Sequence, residues 1–92
     1  AQFAPHLSAG PIEAAANIQL SATLPNFRIL ESIDTFDGFF NDLRVNPIDW
    51  DEGHVNVPDR PGLGYELNEE LCDANPYEGI MPFPPMAESP IF

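Results

Sequence analysis

The sequence predicts a parallel α/β fold, of which this chain holds only a part. Two segments that have the character of strands, residues 2–4 and residues 27–30, are separated by a stretch with helical periodicity. A strand–helix–strand order predicts parallel neighbours joined by a right-handed crossover. Two parallel strands need the rest of a barrel or a doubly wound sheet, and a (β/α)8 barrel alone takes about 250 residues. The chain has 92 residues, so we expect it to be an incomplete piece of a larger protein.

The first strand is expected to end at Pro5, which has no N–H to give to a ladder, so that His6 opens a loop. A helix is predicted over Pro11–Thr23, with proline at its first position. Its apolar or small residues recur at helical spacing, at Pro11, Ala14, Ala15, Ile18 and Ala22. Pro25 stops the helix, because proline disfavours the helical conformation in the residue before it. The second strand then ends at Glu31.

The second half of the chain has weaker signals. Asp34 is placed to cap a short second helix. The apolar residues of that helix, at i, i+3, i+4 and i+7, are Phe36, Phe39, Phe40 and Leu43. Residues 48–50 and 54–57 flank a turn at 51–53 and predict a β-hairpin. A loop punctuated by glycine and proline follows over 58–64, and then a short polar helix near 68–73.

Five further prolines predict an extended tail from residue 75 onward. They are Pro76, Pro82, Pro84, Pro85 and Pro90. The expected organisation is therefore a strand–helix–strand–helix unit over 1–46, a hairpin and the segment after it over 47–74, and the tail over 75–92.

Composition excludes several classes of function. Three arginines and no lysine stand against fifteen acidic residues, for a formal net charge of −12. Nucleic acid and anionic membrane surfaces are therefore excluded as partners. Cys72 is the only cysteine, so no internal disulfide can form and a cytoplasmic location is expected. No stretch approaches the roughly 20 apolar residues of a membrane span.

His6 and Glu31 are the candidate catalytic pair. Each follows the carboxyl end of a predicted strand, and in parallel α/β proteins those ends are where sites form. On adjacent strands about 4.8 Å apart, the two side chains would rise at the same rim. A histidine there can move a proton near neutral pH, and a carboxyl group beside it can hydrogen-bond an oxygen-rich substrate. Spacing alone favours the structural alternatives, a loop histidine that caps a carbonyl and an exposed acid at a strand end.

Other polar groups are interpreted structurally. Four side chains could suggest a metal cluster, but a solvated hairpin turn is the favoured interpretation: Asp49, Asp51, Glu52 and His54. Gly62 and Gly64 form a turn, since no apolar helix follows them as in a phosphate-binding loop. Trp50 is expected to anchor the hairpin by packing, Arg60 to make an internal ion pair, and Cys72 to have no nucleophilic role.

The amino-acid sequences of two segments resemble those of a known family. The first runs from His6-Leu7-Ser8-Ala9-Gly10-Pro11-Ile12 through Leu24-Pro25-Asn26-Phe27 to Glu31, and the other is His54-Val55-Asn56-Val57-Pro58-Asp59-Arg60-Pro61-Gly62-Leu63-Gly64-Tyr65-Glu66-Leu67-Asn68. The first segment resembles the seventh and eighth barrel strands of the enolase superfamily, in its mandelate racemase-like branch. Within that branch the chain is similar to sugar-acid dehydratases of the galactonate and gluconate type. The later segment resembles the one by which these enzymes return to an α+β capping domain, and the resemblance covers roughly residues 3–73. It implies that residues 1–46 are the C-terminal end of a barrel domain and that the hairpin and return segment over 47–74 pack on the capping domain.

The resemblance implies roles for the pair. His6 looks like the strand-seven histidine that acts as general acid/base, and Glu31 like the strand-eight glutamate that binds the substrate carboxylate. The implied reaction removes the proton next to a carboxylate and eliminates water from a small acidic sugar, giving a 2-keto-3-deoxy acid. The implied cofactor is Mg²⁺, with ligands at the ends of the third, fourth and fifth strands, so no metal ligand is expected in this chain. The remainder of the same enzyme is the implied partner, in a homo-oligomer, and the fragment alone is expected to be inactive.

The substrate stays undetermined, because Leu7-Ser8-Ala9 departs from the proline-rich spacer of the galactonate type. Two alternatives to a dehydratase also stay open. The same pair would serve a racemase, an epimerase or a cycloisomerase of the superfamily. A third hypothesis is a small acidic binding module without catalysis, which folds unaided and docks on a partner through its tail.

Overall fold

The computed structural model describes residues 1–32 and 37–79. The elements of this part are, in order, β1 (His6–Leu7), α1 (Pro11–Thr23), β2 (Glu31–Ser32), α2 (Phe39–Asp42), β3 (Trp50–Asp51), β4 (His54–Val55) and α3 (Glu69–Ala74). Strands β1 and β2 form one two-stranded sheet, and β3 and β4 form another.

The first sheet is parallel, as the strand–helix–strand order predicts. His6 pairs with Glu31 and Leu7 with Ser32. An isolated parallel bridge joins Phe3 to Phe27 nearer the amino ends of the two segments. The prediction that Pro5 ends the strand and that His6 opens a loop is wrong. Pro5 cannot donate, but its carbonyl oxygen accepts the Glu31 N–H at 3.0 Å, so the pairing resumes beyond the proline.

Helix α1 has the predicted bounds, Pro11–Thr23, with proline in its first turn. Its last helical residue is Thr23, and the C-cap Leu24 has an extended ψ of 120°, as the proline that follows favours. The buried residues of the helix are Pro11, Ala14, Ala15, Ile18 and Ser21. In the last turn Ser21 is therefore buried in place of the predicted Ala22, which is exposed.

The core lies between α1, β1 and the hairpin. Its buried residues are Leu7, Ala14, Ile18 and Ile48, with Leu30, Val55 and Tyr65 packed against them. Leu7 is fully buried, and its neighbour His6 in the same strand is exposed. This alternation is the usual pattern of a strand that is covered on one face. Burial of a leucine or isoleucine side chain contributes roughly 1.5–3 kcal/mol each.

The hairpin is confirmed, with shorter strands and a tighter turn than predicted. Trp50 pairs with Val55, and Asp51 with His54, so Asp51 belongs to a strand and the turn has two residues. Glu52 and Gly53 have φ angles of 44° and 81°. Positive φ at both central residues is the type I′ pattern, whose twist matches that of the flanking strands.

Helix α2 begins at Phe39, after Gly38 at a φ of 66°. The predicted cap Asp34 and the predicted apolar residue Phe36 lie outside the described residues. Phe39 and Phe40, expected on the apolar face of the helix, are 47% and 44% exposed. A two-turn apolar stripe does not form because the helix has four residues.

Backbone hydrogen bonds join the segment after α2 to the segment before α3. The Val45 N–H donates to Glu66 O, and the Asn68 N–H donates to Leu43 O, both at 2.8 Å. Asn68 then caps α3, with its Oδ1 accepting the Leu71 N–H at 3.2 Å. This confirms the predicted polar helix. Most of the predicted tail, from residue 80 onward, lies outside the described residues.

Among residues 1–32 and 37–79, no helix has the length and apolar character needed to cross a lipid bilayer.

Candidate functional site

The structure brings the two predicted catalytic residues together. His6 and Glu31 are directly opposite each other in the parallel register of β1 and β2. Their side chains form a hydrogen bond of 2.8 Å between Nδ1 of His6 and Oε2 of Glu31. The residues lie within the paired segment, and not just after it as the sequence predicted.

The pair is open to solvent. The His6 side chain is 49% exposed and that of Glu31 is 65% exposed. Exposed ion pairs contribute roughly 0–1 kcal/mol to stability, since water screens the charges and two side chains must be held in place. The pair therefore contributes little to the stability of the fold. Its exposure leaves both side chains accessible to a ligand.

The backbone behind the pair is firmly held. The Glu31 N–H donates to Pro5 O, and Pro5 is buried. Leu7, the next residue after His6, is fully buried against the small residues of α1. The strand that carries His6 is thus fixed by the core on its other face, and precise placement of reacting groups is worth several kcal/mol in a reaction barrier.

The bond through Nδ1 defines what the imidazole can do. An ionised carboxylate only accepts hydrogen bonds, so His6 donates from Nδ1 when Glu31 is charged. Nε2 is then the ring nitrogen through which a proton can pass to or from a substrate. Glu31 has a second oxygen, Oε1, which can meet an oxygen atom of a ligand. The arrangement is suited to acid–base chemistry on an oxygen-rich molecule.

The described residues do not form a metal site. No group of three or more histidine, cysteine, aspartate or glutamate side chains comes together in residues 1–32 and 37–79. The part of the chain that the structure describes therefore does not supply a site for the Mg²⁺ ion that the resemblance implies. Of the acidic residues near the hairpin, Asp51 lies in β3 and Glu52 in the turn. Just outside the strands, Asn56 Nδ2 donates to Asp49 Oδ2 at 3.0 Å.

A cleft of about 360 Å³ lies between the end of α1, the approach to β2 and the hairpin. It is lined mainly by apolar side chains, among them Ile18, Phe27, Leu30, Trp50 and Val55. Neither His6 nor Glu31 lines it. Among the described residues, the lining of the cleft includes His54 but no carboxylate. Trp50, expected to anchor the hairpin by packing, lines this cleft and is 41% exposed.

Sequence reasoning missed a cluster around Tyr65. The guanidinium carbon atoms of Arg44 and Arg60 lie 5.5 Å and 5.7 Å from the centre of the Tyr65 ring, within the range of cation–π contacts. Burial raises the pKa of Tyr65, while the two arginines act in the opposite direction. Burial also lowers the pKa of Arg44. Nothing in the spacing of these three residues signals the contact.

Arg60 makes a backbone contact where an ion pair was predicted. Its Nε donates to Gly64 O at 2.6 Å. The loop around it is a turn, as predicted, with Gly62 and Gly64 at φ angles of 65° and 82°. Cys72 is a free, half-buried thiol.

Known proteins resemble this chain over most of its length. A D-galactonate dehydratase family member of Musicola paradisiaca (strain Ech703) is 35% identical over 80 residues, covering 87% of this chain and 19% of that protein. An arabinonate dehydratase of Saccharolobus solfataricus is 40% identical over 72 residues, covering 75% and 18%. The chain spans about a fifth of the length of the curated relatives that it matches.

Solved structures also resemble this chain. One described as a mandelate racemase/muconate lactonizing enzyme from Labrenzia alexandrii is 56% identical and superposes with a TM-score of 0.78, covering 86% of this chain and 20% of that one. Residues 1–71, which include both members of the His6–Glu31 pair, match the family described as enolase C-terminal domain-like. The chain belongs to that family.

Proposed function

We propose that this chain is the C-terminal part of a sugar-acid dehydratase, in which His6 and Glu31 carry acid–base chemistry. The observation that carries the proposal is the 2.8 Å bond between two exposed side chains that lie opposite each other on adjacent parallel strands. The relatives support the reaction class, because several of them are named as dehydratases of galactonate, gluconate or arabinonate.

The reaction removes a proton from the carbon next to a carboxylate and a hydroxyl group from the carbon after it. The C–H electron pair becomes the new carbon–carbon double bond, and the C–O bond breaks. We assign to His6 the transfer of a proton from Nε2 to the departing hydroxyl, which leaves as water. The resulting enol gives a 2-keto-3-deoxy acid by tautomerisation. The base that removes the first proton is not assigned to a residue of this chain.

Glu31 is proposed to do two things. Its Oε2 accepts from His6 and fixes the orientation of the ring, so that Nε2 faces the substrate. Its Oε1, when it carries a proton, donates to the substrate carboxylate, on which negative charge builds up as the α-proton leaves. A donor aimed at developing charge lowers the barrier more than one aimed at the ground state.

The remaining parts are proposed to come from outside this chain. The described residues hold no metal site, so the ligands of the implied Mg²⁺ are assigned to the rest of the enzyme. The positive groups that bind an anionic substrate are assigned there as well, since this chain carries a net charge of −12. The chain is proposed to act in the cytoplasm, within a homo-oligomer.

The test is a screen of the intact enzyme on a panel of acid sugars with different stereochemistry. We expect one or a few substrates to yield a 2-keto-3-deoxy acid, detected by a colorimetric assay for keto acids and confirmed by mass spectrometry as the loss of one water. Absence of keto acid from every member of a panel that includes galactonate, gluconate, arabinonate and xylonate would contradict the proposal.

A second candidate uses the same two residues without loss of water. It is favoured by the structural neighbours, which are described as mandelate racemase/muconate lactonizing enzymes. In a racemase or epimerase, His6 would deliver or remove the α-proton itself. Exchange of that proton with deuterated solvent, with no keto acid formed, would favour this candidate over the dehydratase.

A further inference from the structure

The two paired segments that carry His6 and Glu31 have different numbers of residues between the same two pairings. Phe3 is bridged to Phe27, and His6 is paired with Glu31. The first segment covers three residues between these two pairings, whereas the second covers four. One residue of the second segment is therefore extra. The backbone bonds agree, since Arg28 N–H donates to Phe3 O at 2.8 Å, and the next bond between these strands is from Glu31 N–H to Pro5 O.

The extra residue decides which face of the sheet carries Glu31. Leu7 is buried against Ala14 and Ile18 of α1, on the face that we call the helix face, and Pro5, two residues before it, is also buried and lies on the same face by alternation. His6 is exposed on the opposite face, the site face. Phe3 lies two residues before Pro5 and so shares the helix face, together with its partner Phe27. A strand that alternated strictly from Phe27 would also place Glu31 on the helix face.

In such a regular ladder His6 would face Leu30, and Glu31 would face Leu7. A carboxylate would then be turned toward the buried leucine, and its burial without partners would cost several kcal/mol. In the structure Leu30 packs against the core and Glu31 is exposed. The alternation has been shifted by one residue between Phe27 and Leu30.

Pro5 explains why the irregularity lies where it does. A residue with an N–H at this place would donate to a carbonyl of the opposite strand, at Arg28 or Ile29. Proline has no such donor, so the chain can bulge there without losing a ladder bond. Bulges reverse the direction of the side chains that follow them and are frequent next to active sites.

We propose that a one-residue bulge at Arg28–Ile29, opposite Ala4, is the device that places Glu31 beside His6. The inference rests on the proposed function for its purpose, since a catalytic pair is what the shift creates. The geometry is testable without any substrate.

The experiment uses four double-cysteine variants of the intact enzyme that carries this chain, each also with Cys72→Ala. At one end of the strands the variants are Phe3→Cys with Phe27→Cys, and Phe3→Cys with Arg28→Cys. At the other end they are His6→Cys with Glu31→Cys, and His6→Cys with Leu30→Cys. Diamide serves as the oxidant that converts two thiols into a disulfide, and peptide mass spectrometry identifies the linked positions.

The bulge predicts crosslinks at 3–27 and 6–31, each formed at least about tenfold faster than its neighbour, since side chains on opposite faces cannot be bridged without backbone movement. A regular ladder predicts 3–27 with 6–30, or 3–28 with 6–31, and either pattern would overturn the proposal. Equal rates at both positions of one end would overturn it too, because the register would then not be fixed. Since no pattern depends on turnover, failure of the substrate screen and failure of the bulge are separate results.

Discussion

At the scale of single residues, the site depends on one hydrogen bond between two exposed side chains. The bond from Nδ1 of His6 to Oε2 of Glu31 measures 2.8 Å. It orients the imidazole ring through Nδ1, and Nε2 is therefore the nitrogen that we propose for proton transfer. The fold gains little stability from it, so the effects of substitution should appear in activity and not in stability.

Glu31→Gln separates these two effects. The amide keeps the shape and an accepting oxygen but loses the charge, and a hydrogen bond to a charged group is worth about 1.5–3 kcal/mol. We expect kcat/KM of the intact enzyme to fall by about 10- to 100-fold, and the free energy of unfolding to change by less than about 0.5 kcal/mol. Glu52→Gln, at the exposed hairpin turn, is the matched control. Equal kcat/KM for the two variants would contradict the role of Glu31.

At the scale of elements, the loop over 58–64 is held against α1. Nε2 of Gln19 donates to Pro58 O and to Leu63 O, both at 3.3 Å. The Gly64 N–H donates to Pro61 O at 3.2 Å and closes the turn. A Cβ atom on Gly64 would lie 2.4 Å from Cγ of Pro58, whereas one on Gly62 would meet nothing within 4 Å.

The two glycines therefore give a matched pair of substitutions. Gly62→Ala and Gly64→Ala both place a side chain at positive φ, which costs roughly 1–2 kcal/mol. Only Gly64→Ala adds a clash with Pro58, and overpacking costs typically about 1–3 kcal/mol more. We expect chemical denaturation of the intact enzyme to show the larger loss of stability for Gly64→Ala. A loss no greater than that of Gly62→Ala would mean that the loop is not packed as described.

The elements also show what the sequence can predict. Helix α1 was predicted to the residue because its signals are local: proline at its first position, a periodic row of small residues and a proline just after its end. The ends of β1 and β2 could not be predicted from local signals, because a strand ends where its partner strand stops pairing with it. Pro5 could not reveal that its carbonyl oxygen accepts the Glu31 N–H.

The order of the strands predicted that His6 and Glu31 lie near each other, but it did not predict their register. Strand order places His6 and Glu31 at the same rim, and this was enough to pair them. The register that sets them directly opposite each other depends on the extra residue near Ile29, which no periodic pattern announces. Arg44 and Tyr65 meet only through the pairing of residues 43–45 with residues 66–68, so their contact was not predictable.

At the scale of the whole molecule, the described part of the chain has a small core. Four residues form its buried cluster, Leu7, Ala14, Ile18 and Ile48. Many large apolar side chains are exposed, among them Ile29 at 62% and Phe27 at 40%. The predicted relationship to the enolase superfamily is confirmed by the family match over residues 1–71. The chain covers 19% of the D-galactonate dehydratase family member and 20% of the solved structure that it resembles.

The small core predicts the behaviour of the isolated 92-residue chain. We expect circular dichroism during heating to show a gradual change without a cooperative transition, because so few buried side chains do not offset the conformational entropy of folding. The intact enzyme, measured in the same buffer, is the control and should melt cooperatively. A sharp transition of the isolated chain would instead favour the third hypothesis, a small acidic module that folds unaided.

The most direct measurement of the central claim is the turnover of His6→Asn in the intact enzyme, beside His54→Asn. Asparagine at position 6 can still donate to Glu31 but cannot transfer a proton, and acid–base catalysis contributes typically about 10²–10⁴-fold. His54 lies in the hairpin, where its Nδ1 lies 3.3 Å from the Glu52 carbonyl oxygen. We predict that His6→Asn binds Mg²⁺ like the parent and loses dehydration by about 10²–10⁴-fold, while His54→Asn keeps its rate. A near-parental rate for His6→Asn would contradict the account.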